Sequence, residues 1–355
     1  MKQIPVPLGD GYSVFLESGL LAKAGPLLAA QKKPCQLALI SDERVYSLWG
    51  SVLSDSLKKA GFSLCCCLIP PGEESKSLAV YEKVLLFLAE NSLSRSDLVL
   101  ALGGGAIGDL AGFAASTYRR GIPFLQIPTT LLSMIDSSLG GKNGINLPGY
   151  KNLAGSFYQP LAVLADPQLL KTLPEEALRS GLGEMIKYAV LADPHLFSRL
   201  EKAQDIRELA FREDMIADCL TIKTRLMEGD EKDLGQRRML NLGHSFGHAL
   251  EVLSGYRLPH GSAVGCGLAL VTRASLKKGL CPEEEGLRIL HLLKKHAFPL
   301  TVPYSAEAMA GAMKSDKKSD GKILPLIVPL AIGHCTILPL SREEVFSWIQ
   351  DALKE

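Results

Sequence analysis

Three glycine-bearing turns lie close together between Leu98 and Asn146, and they constrain the fold of this chain more than any other feature. The apolar run Leu98–Leu102 predicts a buried strand, and it leads directly into the glycines at 103–105. Apolar and small residues then recur at helical spacing from Ile107 to Tyr118. The pattern predicts a strand, a glycine turn and a helix, so backbone N–H groups and a helix N-terminus can approach a phosphate there.

The glycine turn has an alternative interpretation as a tight turn in any α/β domain. Its spacing, GGGxxGD, differs from the GxGxxG fingerprint of dinucleotide-binding folds, so the turn alone does not establish a nucleotide site. A second predicted strand, Phe124–Pro128, ends in Thr129 and Thr130, and a polar cluster from Asp136 to Lys142 follows it. Hydroxyl, carboxylate and ammonium groups at successive strand ends favour a ligand crevice.

Strand and helix patterns alternate through the first half of the chain. Apolar runs predict strands at Leu37–Ile40 and Phe62–Ile69, and helical spacing follows them at Val45–Ala60 and Ser77–Glu90. This order predicts a parallel, doubly wound sheet, in which ligands bind beyond the carboxyl ends of the strands. Asp42 follows the first of these strands, where a carboxylate can accept hydrogen bonds from the hydroxyl groups of a ribose.

Helical spacing dominates after Asp166. Helices are predicted at Pro174–Leu200, Ile206–Met227, Arg238–Leu253, Ala263–Lys278 and Glu283–Lys295, and a strand-like run at Ile323–Ile332. We therefore expect two domains, an α/β nucleotide-binding domain over 1–170 and an all-α domain for metal and substrate over 171–355.

Composition excludes several functions. With 39 basic and 38 acidic residues, the net charge is +1, which argues against nonspecific binding of nucleic acid. No apolar run reaches the 18 or so residues that span a bilayer, and the first residues lack the apolar core of a signal peptide. The eight cysteines show no paired CxxC spacing and fit reduced thiols. We expect no membrane partner and a cytoplasmic location.

Histidines and one carboxylate suggest a metal site in the second half. His244 and His248 are four residues apart on one face of a predicted helix, His260 follows twelve residues later, and Glu184 and Lys187 share another helical face. Three such ligands with an open position are typical of catalytic zinc. A histidine pair is also common without a metal, and spacing leaves open which histidine binds and which relays protons. The HExxH motif of zinc proteases is absent.

Several basic or amide side chains are candidates for binding an anion, although each alone is ordinarily a surface group. They are Arg120, Lys142, Lys151, Asn152, Lys223, Arg237 and Lys317. Lys142, Lys151 and Asn152 stand out because they lie in the glycine-rich, weakly charged segments GGKNGIN and GYKNLAG.

Several long segments, in order, resemble the 3-dehydroquinate synthase family within the sugar phosphate cyclases. The segments include PGEESKS, GGGAIGDLAGFAASTYRRGIPFLQIPTTLL, DSSLGGKNGIN, KNLAGSFYQP, GLGEMIKY, NLGHSFGHALE and LPHG. The resemblance implies a dehydroquinate synthase-like fold, bound NAD, one divalent metal (zinc or cobalt), and a homodimer. It implies conversion of 3-deoxy-D-arabino-heptulosonate 7-phosphate to 3-dehydroquinate and phosphate, in the shikimate route to chorismate.

The resemblance also implies roles for individual residues. The metal ligands would be Glu184, His244 and His260. NAD would be held by Asp42, Gly72, Glu73, Lys76, Gly104, Gly105, Asp109, Thr129, Thr130, Lys142, Lys151, Leu169 and Thr172. The substrate would be surrounded by Asp136, Lys142, Asn152, Lys187, Lys223, Arg237, Asn241, His248 and Lys317, or by Lys318 in place of Lys317, with Arg120 reaching the neighbouring subunit's phosphate site.

Some positions depart from the family pattern, and other functions stay open. Asn143 stands where the family usually has Thr, and Arg44 where a smaller polar residue is common; both could alter cofactor contacts. The alternatives are another sugar phosphate cyclase, a metal-dependent alcohol or glycerol phosphate dehydrogenase that releases NADH, and a noncatalytic nucleotide-binding protein.

Overall fold

The structure, a computed structural model, describes residues 1–314 and 323–354. The chain forms two compact units, Met1–Leu173 with Phe211–Lys232, and Pro174–Ala210 with Asp233–Glu355. The units differ from the predicted domain ranges chiefly in segment 211–232. This segment is tied to the first unit because Glu213 Oε1 accepts a hydrogen bond from the Ser18 N–H at 2.7 Å and Lys223 pairs with Asp136.

The first unit is built on a seven-stranded sheet with the order β1-β2-β9-β6-β5-β3-β4. Its strands are β1 (Lys2–Val6), β2 (Tyr12–Leu16), β3 (Gln36–Asp42), β4 (Ser63–Ile69), β5 (Leu98–Gly103), β6 (Phe124–Pro128) and β9 (Ala162–Ala165), and a separate hairpin contains β7 (Lys142–Leu147) and β8 (Tyr150–Phe157). β1 and β2 are antiparallel, whereas the other sheet neighbours are parallel. The parallel α/β prediction is confirmed.

Helices cover both faces of this sheet. They are α1 (Ala24–Ala29), α2 (Glu43–Val45), α3 (Ser51–Lys59), α4 (Leu78–Glu90) and α5 (Gly105–Thr117), with a π-helical turn at Tyr46–Gly50 and short 3₁₀ turns at Leu20–Lys23, Glu73–Ser75, Tyr118–Arg120 and Pro167–Thr172. Alternate residues of β3 face opposite layers: Leu39 packs in one apolar core and Ile40 in the other. Both faces of the sheet are therefore buried, which explains the continuous apolar runs of its strands.

The second unit is mainly helical. It contains α6 (Glu175–Ala192), α7 (Pro194–Lys202), α8 (Ile206–Ala210), α10 (His244–Leu253), α11 (His260–Lys277), α12 (Glu283–Lys295), α13 (Ala306–Lys314) and α14 (Arg342–Leu353), while α9 (Glu213–Met227) belongs to the first unit. One hairpin of β10 (Ile323–Ala331) and β11 (His334–Ser341) is added to these helices. No helix among the described residues is long and apolar enough to cross a bilayer.

Three predicted helices are interrupted. The predicted helix Pro174–Leu200 breaks at Asp193, whose carboxylate caps α7 by accepting from the N–H groups of His195 and Leu196. The second, Ile206–Met227, is divided into α8 and α9. The third begins instead as a 3₁₀ turn, Gln236–Asn241, and α10 starts only after Gly243, which has a φ of 78°.

Candidate functional site

Ends of three neighbouring strands bring predicted cofactor residues together in the first unit. Ser41 pairs with Leu102, so Asp42 lies beside the glycine turn that follows β5. The Thr129 N–H donates to the Gly103 carbonyl oxygen at 2.9 Å, which places the end of β6 on the other side of the turn. Asp42, Gly104, Gly105, Thr129 and Thr130 therefore share one edge of the sheet, as parallel topology requires.

The glycine turn leaves room for a ligand to approach its backbone. A Cβ on Gly104 would lie 3.0 Å from Thr130 Cγ2, and a Cβ on Gly105 would lie 3.0 Å from Ser137 Oγ. Side chains at these positions would crowd the space above the N-terminus of α5. The arrangement fits the pyrophosphate of a dinucleotide, which needs backbone N–H groups at close range.

Lys76 is the centre of a polar cluster on the same unit. Its Nζ lies 2.7 Å from Asp109 Oδ2, 2.6 Å from Asn152 Oδ1 and 3.6 Å from Glu73 Oε1, and the side chain is 4% exposed. Burial lowers the pKa of Lys76, but the carboxylates of Asp109 and Glu73 outweigh burial and raise it. The structure thus places three predicted binding residues, Glu73, Asp109 and Asn152, around the ammonium group of a fourth, Lys76.

The β7–β8 hairpin connects this cluster to other predicted residues. Asn146 Nδ2 donates to Glu73 Oε1 at 3.0 Å, and the Asn152 N–H donates to Asn146 Oδ1 at 2.9 Å. Asn152 has a φ of 50°, which is uncommon outside glycine and holds its side chain toward Lys76. Lys142, at the start of β7, is exposed, and Lys151 is half-buried.

Asn143 is placed by packing within the first unit. Its amide Nδ2 donates to the carbonyl oxygens of Gly141 and Tyr158, each at 2.9 Å, and the residue is 5% exposed. A Cβ on Gly112 would lie 2.0 Å from Asn143 Oδ1. The Asn at this position therefore fits against a glycine of α5 and bonds to backbone.

Four predicted residues lie apart from these clusters or outside the described ranges. The Leu169 side chain is in the apolar core, so only its backbone is available to a cofactor. Thr172 is exposed and its hydroxyl donates to the Leu169 carbonyl oxygen at 3.3 Å. Arg120 is exposed and has a φ of 65°. Lys317 lies outside the described residues, as does its alternative Lys318.

Glu184, His244 and His260 converge in the second unit. Glu184 Oε1 lies 3.6 Å from His244 Nε2 and 3.5 Å from His260 Nε2, and Glu184 is fully buried. Lys187 Nζ contacts Glu184 Oε2 and is 1% exposed. One carboxylate and two imidazoles within 4.8 Å of one another can hold a divalent metal.

Close helix packing creates this convergence. A Cβ on Gly183 would lie 2.0 Å from the Gly261 carbonyl oxygen, and a Cβ on Gly261 would lie 1.8 Å from the Ser180 carbonyl oxygen. Only glycine allows α6 and α11 to approach so closely, and each glycine adjoins a ligand, Glu184 or His260. The two glycines lie in the GLGE and HG segments, but neither segment indicates which helix the other packs against.

The pKa values of the two imidazoles are shifted in opposite directions. Burial lowers the pKa of His244 well below its ordinary value, which keeps the ring neutral. Burial also lowers the pKa of His260, but its contacts with Glu184 and Glu251 outweigh burial and raise it to about 10. A metal would take the place of that proton beside Glu184, so the donor set fits zinc or cobalt.

Two further residues complete the description of this set. His248 lies on the same face of α10, with its ring centre 5.5 Å from that of His244 and 6.0 Å from that of His260. Glu251, which was not among the predicted site residues, lies one turn further along, with Oε2 3.5 Å from His260 Nδ1. The seven-residue interval from His244 to Glu251, two helical turns, was the sequence signal for it.

Arg237 is buried and Asn241 is half-buried at the 3₁₀ turn before α10.

Comparisons with known proteins place this chain among sugar phosphate cyclases. Residues 66–180 match the N-terminal model of 3-dehydroquinate synthase and residues 181–319 match the C-terminal one. The 3-dehydroquinate synthase of Enterococcus faecalis is 42% identical over 95% of both chains. The chain belongs to the 3-dehydroquinate synthase family.

Solved structures agree with this fold. The 2-epi-5-epi-valiolone synthase of Streptomyces hygroscopicus, with NAD+ and Zn2+ bound, is 30% identical, covers 96% of both chains and superposes with a TM-score of 0.86. A 2-deoxy-scyllo-inosose synthase complexed with carbaglucose-6-phosphate, NAD+ and Co2+ shares the fold with a TM-score of 0.89 at 21% identity, over 99% of this chain and 100% of the other.

Proposed function

We propose that this enzyme converts 3-deoxy-D-arabino-heptulosonate 7-phosphate to 3-dehydroquinate and phosphate, as a phosphate-eliminating lyase of the shikimate pathway. The observation that carries the proposal is the convergence of Glu184, His244 and His260 in a chain that is 42% identical to a 3-dehydroquinate synthase. Bound NAD would accept and return a hydride, and a bound divalent metal would act as a Lewis acid.

The second unit supplies the metal ligands and a buried cation. Glu184, His244 and His260 would hold zinc or cobalt through one oxygen and two nitrogens. The Nζ of Lys187 contacts the fully buried Glu184 carboxylate, and an ion pair of this kind limits the cost of burying the carboxylate. His248, beside both metal-binding histidines, is the proposed proton relay.

Cations would bind the two anionic ends of the substrate, its carboxylate and its phosphate. Lys223 and Arg237 are buried at 5% and 2% exposure and so have few accessible conformations to lose on binding. Lys142, Asn152 and Asn241 add a further charge and two amides. The same role is proposed for Lys317, together with Arg120 toward a neighbouring subunit.

NAD binding is proposed for the sheet edge and the Lys76 cluster. Asp42 Oδ1 accepts from the Val45 N–H at 2.8 Å, which fixes the carboxylate beside the glycine turn. The turn would receive the pyrophosphate, and Thr129 and Thr130 would add hydroxyls. Gly72, Glu73, Lys76, Asp109, Lys142, Lys151, Leu169 and Thr172 are retained as proposed contacts. The homodimer and the cytoplasmic location also stay predictions from the sequence.

Phosphate release with catalytic NAD and zinc tests the reaction, with absorbance followed for NADH. We expect phosphate and 3-dehydroquinate with no net NADH, because the hydride returns within one turnover. Net NADH formation would contradict a cyclase and favour a dehydrogenase.

A related cyclase activity is the second candidate, favoured by the 30% identity to a 2-epi-5-epi-valiolone synthase. Sedoheptulose 7-phosphate, which lacks the carboxylate, distinguishes the two. Turnover of this sugar but not of the acidic substrate would replace the proposed activity with the second one.

A further inference from the structure

Glu251 is a buried carboxylate next to the proposed metal ligand His260, and it has no role in the proposed function. It lies on α10, its side chain is 6% exposed, and its Oε2 is 3.5 Å from His260 Nδ1. We propose that Glu251 is a positioning residue for the metal site: it accepts a hydrogen bond from His260 Nδ1–H and so directs His260 Nε2 toward Glu184. The proposal rests on the metal role given above.

The chemistry of imidazole gives the reason. A neutral ring carries one N–H, and a carboxylate at Nδ1 fixes the proton there, which leaves the Nε2 lone pair for a metal. His260 Nε2 is 3.5 Å from Glu184 Oε1, the oxygen that also lies 3.6 Å from His244 Nε2. Carboxylates that orient metal-binding histidines in this way also raise the basicity of the ligand.

His244 provides an internal comparison. Its Nδ1 lies 3.2 Å from the Leu242 carbonyl oxygen. A backbone carbonyl group therefore orients the His244 ring through Nδ1, as Glu251 orients the His260 ring. The His260 side chain is 33% exposed, whereas that of His244 is 13% exposed. The more exposed ring has fewer neighbours to hold its orientation, so the carboxylate matters more for His260.

The helix explains why Glu251 can reach this ring. His244, His248 and Glu251 follow one another at intervals of four and three residues, which places them on one face of α10. His248, Glu251 and His260 also form a group whose candidate ligand atoms lie within 4.8 Å. Glu251 could therefore be a direct ligand in a second arrangement, and the experiment must separate the two roles.

The test is the affinity of the full chain for Zn2+, measured by competition with a chromophoric chelator. Glu251→Gln keeps the shape of the side chain and one acceptor oxygen but removes the charge. Glu251→Leu removes the charge and both acceptor oxygens. We expect Glu251→Leu to weaken Zn2+ binding by about 10- to 100-fold and Glu251→Gln by less, because orienting partners typically contribute this much. The exposed Glu283→Gln, which makes the same charge change on α12, should bind as the wild type does.

The visible spectrum of bound Co2+ is the second readout. A reoriented His260 changes the ligand geometry, so Glu251→Leu should alter the Co2+ bands, whereas a purely structural loss would lower the melting temperature of the metal-free protein and leave the bands alone. The Glu251→Gln variant decides the question if Glu251→Leu does not fold. Glu184→Gln should lose most Zn2+ affinity, as a direct ligand does.

The outcomes separate this proposal from the proposed function. Wild-type protein that binds no Zn2+ would contradict both the metal role and the role of Glu251. Tight wild-type binding with unchanged affinity and spectra in both Glu251 variants would overturn only the positioning role. Tight binding in Glu184→Gln with complete loss in Glu251→Gln would make Glu251 a direct ligand and would also overturn it.

Discussion

Lys223 Nζ lies 2.6 Å from both the backbone carbonyl oxygen and Oδ1 of Asp136. The contact joins α9 to the π-helical turn Ser133–Ser137, although 87 residues separate the two side chains. It is one reason why segment 211–232 is part of the first unit. A proposed substrate lysine therefore also has a structural role.

Replacing Lys223 should reduce stability as well as activity. Lys223→Met leaves the Asp136 carboxylate, 20% exposed, without this cation, and we expect a loss of about 2–3 kcal/mol in the free energy of unfolding. Chemical denaturation measures it, with the exposed Lys171→Met as the control. Equal stability of the two variants would show that the pair contributes little.

Lys76→Met should weaken NAD+ binding and destabilise the first unit. The change deprives Asp109 and Asn152 of their shared ammonium partner, so we expect about tenfold weaker NAD+ binding by calorimetry. Lys83→Met is the matched control, since Lys83 is exposed and bonds only to the Leu68 carbonyl oxygen at 3.1 Å among its described contacts. Unchanged NAD+ affinity in Lys76→Met would remove this cluster from the cofactor site.

Lys142 and its neighbour Asn143 should respond in opposite ways. Lys142→Ala removes a proposed substrate and NAD contact, so we expect a strong loss of turnover. Because the side chain is exposed, we expect little change in melting temperature. Asn143→Ala removes the amide donor to the Tyr158 carbonyl oxygen and one of two donors to the Gly141 carbonyl oxygen, which keeps the Tyr158 N–H at 2.8 Å, and we expect a loss of about 1–3 kcal/mol in stability. A large fall in melting temperature for Lys142→Ala would count against its proposed role.

The pH dependence of stability should report on His296. Burial, followed by the charge of Lys295, lowers the pKa of this histidine below its ordinary value of 6.5, against a smaller opposing effect of the Leu200 backbone. Because the folded-state pKa is the lower one, the neutral ring stabilises the fold above about pH 6.5, and that contribution is lost as the pH falls through the folded-state pKa.

The variant His296→Gln stays neutral and tests this directly. Between about pH 7.5 and pH 5.5, we expect the wild type to lose more unfolding free energy than the variant. Both proteins keep His244, His248 and His260, so their difference isolates His296. Parallel pH profiles would contradict the prediction.

Local sequence patterns were sufficient for the four strands β3 to β6 of the α/β half. The strand at Leu98–Leu102 and the helix after the glycine turn depend on apolar runs and backbone freedom, which are properties of neighbouring residues. Helix interruptions were harder to predict. Asp193 followed by Pro194 is a local signal for a helix start, but the apolar spacing on both sides of it favoured one continuous helix. The assignment of segment 211–232 also depends on a distant partner, Asp136.

The sequence by itself determined the ligand types available to the proposed metal site, because imidazole and carboxylate groups at helical spacing restrict which ions can bind. Spacing did not choose among His244, His248 and His260, since His244 and His248 share one helix face, and only the family resemblance implied His244 and His260. Only the tertiary structure brought His244 and His260 to the same oxygen of Glu184 and placed Glu251 behind His260. The physical reason is the close contact of α6 with α11 at Gly183 and Gly261, a packing relation between residues 78 positions apart that no local pattern encodes.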